Sequence, residues 1–381
     1  MFIDWLEMYQ DFEGDIPMLS DQHFLIVDSK TGDCLTTKQP NLIHEGSYCT
    51  KILIRISGNR ITVSGNPSRF GRLDNLFGFT QLDDCVHVYN RILRDAGLQD
   101  FQFTKCTLNG FDNYRQTKEK QKVLKTTNGA TITRIDLTSN LSVGADCQDT
   151  YIRALSSLRY RNSIPHLYPN GKSVDWKTKK HNAPLIYATA YNKAFEIQLN
   201  QLWKIEKQFG KKSEEYKYLC AILHYCESNG VVRLEQKLKS AFLRRKNLNH
   251  WGQINESEFT SIHNEFLKLD EKLQVEHMTL EGISEKLLRL DICKTTYSSN
   301  ITALYAIQWI NGKVFDLNLS AVKVHRSRLR KIGIDIANVA DLTIHTPVIV
   351  RKVQTITPIN LTTPDWYIPA NKNLTKLKLV A

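Results

Sequence analysis

The sequence predicts an α+β fold: an antiparallel sheet with flanking helices, followed by a mostly helical C-terminal region. Three observations predict it. Residues 51–65, KILIRISGNRITVSG, alternate apolar and polar on both sides of Gly58-Asn59, which signals a hairpin. Between 130 and 240, strand-like runs alternate with amphipathic helical ones. Beyond 250 the spacing of apolar residues is mostly helical.

The elements follow in order. After the hairpin, NPSRFGRLDNLFG (66–78) is a Gly/Pro/Asn-rich loop. Thr80 with Asp83 marks a helix start and Gly97 its stop, with Leu82, Cys85, Tyr89, Ile92 and Ala96 as the apolar stripe. ATITRIDLTSN (130–140) is a strand and CQDTYIRALSSLRYR (147–161) an amphipathic helix. Residues 172–193 give two strands around a polar turn. Phe195, Leu199, Leu202, Ile205 and Phe209 then form one helical face that ends at Gly210. A second helix runs from Ser213 to Asn229-Gly230, and VVRLEQKLKS (231–240) is again a strand. Ser299 or Asn300 is placed to cap a helix ending at Asn311-Gly312, and Ser320 one ending at Gly333. Boundaries are expected near 110, 250 and 345, which divides the chain into 1–110, 111–250, 251–345 and a tail, 346–381.

Charge narrows the function classes. The net charge is +12, a balance that suits an anionic partner, with nucleic acid the commonest. Residues 1–50 are nevertheless at −7, so the rest carries +19 and the binding surface is expected beyond residue 50. None of the eight cysteines forms a C-x-x-C pair, which excludes a zinc ribbon or a thioredoxin motif. The opening residues have no basic n-region and no long apolar core, so no signal peptide is expected. No apolar run approaches a membrane span. Reduced thiols in a cytoplasmic protein with no membrane partner are the expectation.

Three strands carry candidate chemistry. In TRIDLTS, Arg134, Asp136 and Thr138 share a face. In VVRLEQKLK, Arg233, Glu235, Lys237 and Lys239 do the same. In LIYATAYNK, two-residue spacing puts Tyr187, Tyr191 and Lys193 on one face with Leu185 and Thr189. If the strands share a sheet, one face holds two acids, tyrosine and lysine. That set suits phosphodiester transfer: tyrosine, with a pKa of about 10, is a poor nucleophile unaided. A divalent cation on the carboxylates would polarise the phosphate, and a nearby ammonium would favour the phenolate. Equally, a charged strand face can be merely solvated and the tyrosines merely packed.

TRIDLTSN, LIYATAYNKAFEI and GVVRLEQKLKS, in that order, resemble the core of rolling-circle replication initiators of the Rep_trans type. FIDWLEMYQDF, ITVSGNPSRFGRLDNLFGFT, HRSRLRKIGIDI and PDWY resemble the gene II-type replication proteins of filamentous phages, with particular similarity to their RstA-like branch. The resemblance implies an origin-specific nicking and closing enzyme that depends on Mg²⁺ or Mn²⁺. It implies Tyr191 as nucleophile, Lys193 as local cation and Asp136 and Glu235 as metal ligands. Asn192 stands where an acid is common, which leaves Glu196 or Asp175 as a third ligand. Tyr187 is a candidate second nucleophile. Residues 111–250 become the nicking core. The implied partners are duplex origin DNA, the displaced single strand, and host helicase and polymerase, with self-association on DNA left open. Another group of rolling-circle nucleases uses His-hydrophobic-His, but no two histidines here are one residue apart.

Basic runs supply the expected DNA contacts. They lie at 115–125, at 172–180, and at 237–246 with Lys237, Lys239, Arg244 and Arg245. Arg134 and Arg233 flank the acids on the two motif strands. The 301–333 helix pair, whose second member bears Arg326, Arg328, Arg330 and Lys331, fits either a helix-turn-helix variant or a packed hairpin with a basic exterior.

Overall fold

The computed structural model describes residues 1–17, 24–38, 41–45, 51–107, 114–117, 120–123, 128–269, 280–310, 312–338 and 358–371. The chain opens with β1 (Phe2–Asp11), then β2 (Phe24–Val27) and β3 (Cys34–Lys38), which pair with each other. β4 (Leu42–Glu45), β5 (Lys51–Ser57), β6 (Arg60–Gly65) and α1 (Leu82–Asp95) follow. β7 (Tyr114–Thr117) and β8 (Lys120–Val123) form a second small hairpin. The side chains of the 115–125 basic run lie outside the described residues.

Next come β9 (Thr131–Ser142), α2 (Gln148–Leu155), β10 (Ile164–Leu167), β11 (Ser173–Lys177) and β12 (Ile186–Asn192). Three helices, α3 (Lys193–Ile197), α4 (Trp203–Phe209) and α5 (Glu214–Ser228), lead to β13 (Val231–Lys239) and α6 (Ser240–Arg245). The chain continues with α7 (Ser257–Leu267), α8 (Leu280–Arg289), α9 (Thr296–Ile310) and α10 (Ser320–Lys331) and returns as β14 (Ile359–Asn360).

One antiparallel sheet organises these elements, in the order β10-β11-β12-β13-β9-β1-β6-β5-β4, with β14 added to β9. Strands from both sides of residue 110 are therefore neighbours in it. Gly58, at φ +59°, starts the two-residue β5–β6 turn, the position a II′ hairpin reserves for glycine. β1 is bulged between Ile3 and Trp5. The one-residue insertion changes which side chains face which way.

The back of the sheet is apolar. Ile3, Leu6, Met8, Ile135 and Leu137 pack with Cys85, Tyr89 and Ile92 of α1. Val174, Trp176, Ala188, Ala190, Val232 and Leu234 pack with α2 and with Phe266 of α7. Side chains alternate along each strand, so the opposite face presents the polar set. At one end of that face Leu73, Leu76, Ala194, Ile197, Leu219, Val231 and Tyr367 form a separate core. α8, α9 and α10 share a core of their own through Ile283, Leu287, Ala303, Trp309 and Leu329.

Four expectations change. The helix that Ser299 or Asn300 is placed to cap already begins at Thr296, so both lie inside it. The 147–161 helix stops at Leu155. The 195–209 face does not form one stripe, because Gln198–Leu202 is a π-helical turn between α3 and α4. That turn shifts the phase, buries Ile197 and Ile205 and leaves Leu199 58% exposed. Lys193 is not on the strand face with Tyr191: β12 ends at Asn192, whose side chain caps α3 by accepting from Phe195 N at 3.1 Å.

Candidate active site on a basic sheet face

Backbone register aligns the three motif strands. Tyr191 pairs with Arg233, which pairs with Asn140. Thr189 pairs with Glu235, which pairs with Thr138. Tyr187 pairs with Lys237, which pairs with Asp136. Directly opposed residues share a face, so all nine belong to one surface.

At its centre the Tyr191 hydroxyl donates to Glu235 Oε1 at 2.6 Å. Burial, with Asp4 adding to it, pushes the Glu235 carboxyl up to about 7. Burial and Glu235 drive the Tyr191 hydroxyl well above its usual range, against the pull of Arg233. A tyrosine that loses a proton here needs a base at hydrogen-bond distance, and Glu235 occupies that position.

Asp136 is held differently. Arg134 grips it bidentately, Nε to Oδ1 at 2.8 Å and NH2 to Oδ2 at 2.6 Å, while its guanidinium lies 4.7 Å above the Trp5 ring. Burial still raises Asp136 against that pull. Arg233 is 0% exposed. Its Nε donates to Asn140 Oδ1 and its NH2 to the Asn75 and Leu76 carbonyls. It thus lies beneath the face rather than on it, a correction to the expectation that it contacts DNA, because guanidinium donors turned inward cannot reach a phosphate.

Lys193 is also buried, with Nζ 2.6 Å from Glu196 Oε2 and 2.9 Å from Asn75 Oδ1. Burial alone would raise Glu196, but Lys193 holds it at about 2. Tyr187 donates to Asp175 Oδ2 at 2.8 Å, an oxygen that also accepts from Tyr168 and Lys177. Glu196 is thus committed to Lys193, while Asp175 Oδ1 is buried with no partner among the described residues. Among the described residues no group of three or more His, Cys, Asp or Glu is arranged to hold a metal ion.

Two residues escaped the sequence reading. Asp4, at the β1 bulge, accepts from Asn66 Nδ2 at 2.8 Å and Asn75 Nδ2 at 3.0 Å. The signal was the phase slip in FIDWLEM: core positions Ile3, Leu6 and Met8 are spaced three and then two apart. Asn75 comes from the 66–78 loop, and nothing local marks it.

Beside this centre the face opens into a groove of about 610 Å³, lined by Arg134, Lys177, Tyr187, Lys237, Lys239 and Glu7. Arg244 and Arg245, at the end of α6, are exposed. α9 and α10 pack on each other through Ala303, Trp309 and Leu329. Arg326 Nε donates to Asp335 Oδ1 at 2.6 Å and Arg328 NH1 to Ser298 Oγ at 2.8 Å. Arg330 and Lys331 are exposed, with Arg330 Nε 4.0 Å from Asp335 Oδ2.

Fold and site together define an α+β protein with a tyrosine–carboxylate pair set in a basic sheet face. The family of phage replication-associated proteins of the gene II type matches the chain twice, its N-terminal part over residues 2–257 and its C-terminal part over 287–373. The replication-associated protein of this type from Escherichia phage If1 is 48% identical over 319 residues, covering 83% of this chain and 97% of that protein. The chain belongs to this family, the gene II-type replication-associated proteins of filamentous phages. Among the described residues no helix is long and apolar enough to cross a membrane.

Proposed function

We propose that the protein initiates rolling-circle replication by nicking the plus strand at a phage origin and later rejoining it. The observation that carries this is the 2.6 Å hydrogen bond from Tyr191 to Glu235 beside a basic groove. Glu235 takes the phenol proton, and the Tyr191 oxygen attacks the scissile phosphorus. The P–O3′ bond breaks, the 5′ phosphate stays on Tyr191, and the 3′ oxygen leaves as a primer end. Attack by a later 3′-OH on the phosphotyrosine reverses these bond changes and closes the strand. Arg233, opposite Tyr191, favours the phenolate. Lys193 acts on the site through Glu196 and Asn75.

Mg²⁺ or Mn²⁺ fits Asp136 and Glu235. The observation in favour is Thr138, directly opposite Glu235, whose buried hydroxyl has no partner among the described residues. One or two carboxylates plus substrate oxygens suffice for Mg²⁺. When bound, the cation would offset charge on the phosphate. Glu196, paired with Lys193, is the weaker third ligand in this reading, whereas Asp175 keeps a buried Oδ1 with no partner among the described residues. Lys237, Lys239, Arg244 and Arg245 hold the backbone of origin DNA, and Arg330 and Lys331 are the outer contacts of α10. Tyr187 is available as a second nucleophile for the displaced strand. Host helicase and polymerase would act on the nicked product.

Supercoiled origin plasmid incubated with the protein and Mg²⁺ tests this. Nicked circles carrying covalently bound protein are expected. A gel shift without any cut would establish a DNA-binding protein instead.

A further inference from the structure

We infer that residues 358–371 are a strap that positions the active-site loop, with Tyr367 as its key positioning residue. This rests on the nicking role proposed above, but its physical part does not.

The strap reaches the catalytic sheet by two routes. β14 pairs with Leu141 and Ser142 of β9, and Leu361 N donates to Asn140 O at 3.1 Å. Trp366 packs edge-on against Tyr218 and Tyr225 of α5. Tyr367 then enters the 66–78 loop and is 6% exposed. Its hydroxyl donates to Asp74 Oδ1 at 2.8 Å and accepts from Phe77 N at 2.9 Å and Arg72 NH2 at 2.5 Å. Arg72 NH2 also donates to Ile368 O at 2.6 Å.

These contacts bracket Asn75. Asp74, on one side, takes the Tyr367 hydroxyl and the Leu76 amide at 2.7 Å. Leu76, on the other, offers its carbonyl to Arg233 and to Asn140. Asn75 itself reaches Asp4 through Nδ2, Lys193 through Oδ1 and Arg233 through its carbonyl. One loop residue therefore sets three charged groups of the site, and the strap fixes that residue's neighbours. The loop has no slack on its inner side, since a Cβ on Gly78 would lie 2.8 Å from the Phe2 ring. Buried hydrogen bonds that converge on one loop residue from several elements restrict its geometry, although Arg72 Nε and Arg233 NH1 find no partner among the described residues, and small displacements at a reacting centre cost rate steeply.

Tyr367→Phe keeps the ring contact with Phe77 and removes only the hydroxyl. Two measurements test the strap. Amide exchange at residues 75–77 should rise about tenfold in Tyr367→Phe, while β9 amides keep wild-type protection. Single-turnover nicking should fall about tenfold with origin affinity unchanged, and that loss should shrink below about twofold in an Asn75→Ala background, because coupled residues are not additive. Unchanged exchange at 75–77 overturns the strap, whether or not the protein nicks. Normal nicking by Tyr367→Phe, or equal losses in both backgrounds, overturns its catalytic role and leaves the nicking proposal standing. If the wild type does not nick, the nicking proposal fails, and exchange alone decides the strap.

Discussion

Glu235 keeps its proton toward neutrality because burial, with Asp4 adding to it, outweighs the pull of Arg233, and the other cations nearby serve other partners. Arg134 belongs to Asp136, Lys193 to Glu196, and Arg233 donates to Asn140 and to backbone carbonyls. With a pKa of about 7, its carboxylate form grows in as pH rises through neutrality. Nicking should rise with pH across that range, as a pH–rate profile would record. Glu235→Gln should lower the rate by roughly 10²-fold or more, the usual contribution of a general base. The same substitution should stabilise the fold above pH 7. The folded-state pKa lies above the ordinary value of 4.5, so the folded chain keeps the extra proton between the two, and stability falls as pH rises through that window. A chemical-denaturation series at pH 5 and pH 8 checks it: the variant's advantage should appear only at the higher pH.

Among the elements, the turn from α5 into β13 is the most exacting part. Gly230 has φ +61°, and a Cβ there would lie 1.7 Å from Gly144 O. Gly230→Ala should cost about 2 kcal/mol or more, read from urea unfolding, because backbone meets backbone and neither can yield. α7 adds a pH-sensitive joint on the back of the sheet. His263 bridges Gln236 Oε1 at 2.9 Å and Ser139 Oγ at 3.0 Å, and burial lowers its pKa to about 3. The unfolded chain takes up that proton near 6.5, so stability should decline as pH falls from about 6.5 toward 3; a flat acid limb in thermal melts would contradict this. Much of this level was readable in the sequence. The hairpin at Gly58, the three motif strands and the Gly210 and Gly230 stops all leave local patterns, since turn chemistry and period-two alternation are local. The insertion of β1 between β9 and β6 leaves none. Nor did the π turn at Gln198–Leu202, whose extra residue undid the expected stripe.

Across the whole molecule, charge and connectivity explain what sequence reading missed. The acidic first 50 residues point to a binding surface elsewhere, yet β1 carries Asp4 into the site and Trp5 beneath Arg134. The last described segment likewise closes on the loop beside that site. Long-range pairings of this kind leave little signature along the chain, so the strands that bring Tyr191 and Glu235 together could be read, Asp4 left only the phase slip of its strand, and Asn75 left nothing. The basic track beyond the groove makes a separable prediction. Replacing Arg244 and Arg245 together with alanine should weaken binding alike for origin and non-origin DNA. It should also lower the slope of log affinity against log salt by about 1–2, since each lost phosphate contact removes roughly one released counterion.

If Tyr191 is the nucleophile, its hydroxyl oxygen becomes bonded to DNA. Mass mapping of the covalent protein–oligonucleotide adduct tests it most directly. The predicted result is a nucleotide phosphate on the peptide containing Tyr191, lost in Tyr191→Phe while Tyr187→Phe still forms the first adduct. An adduct on any other residue, or an undiminished one in Tyr191→Phe, would rule out Tyr191 as the nucleophile.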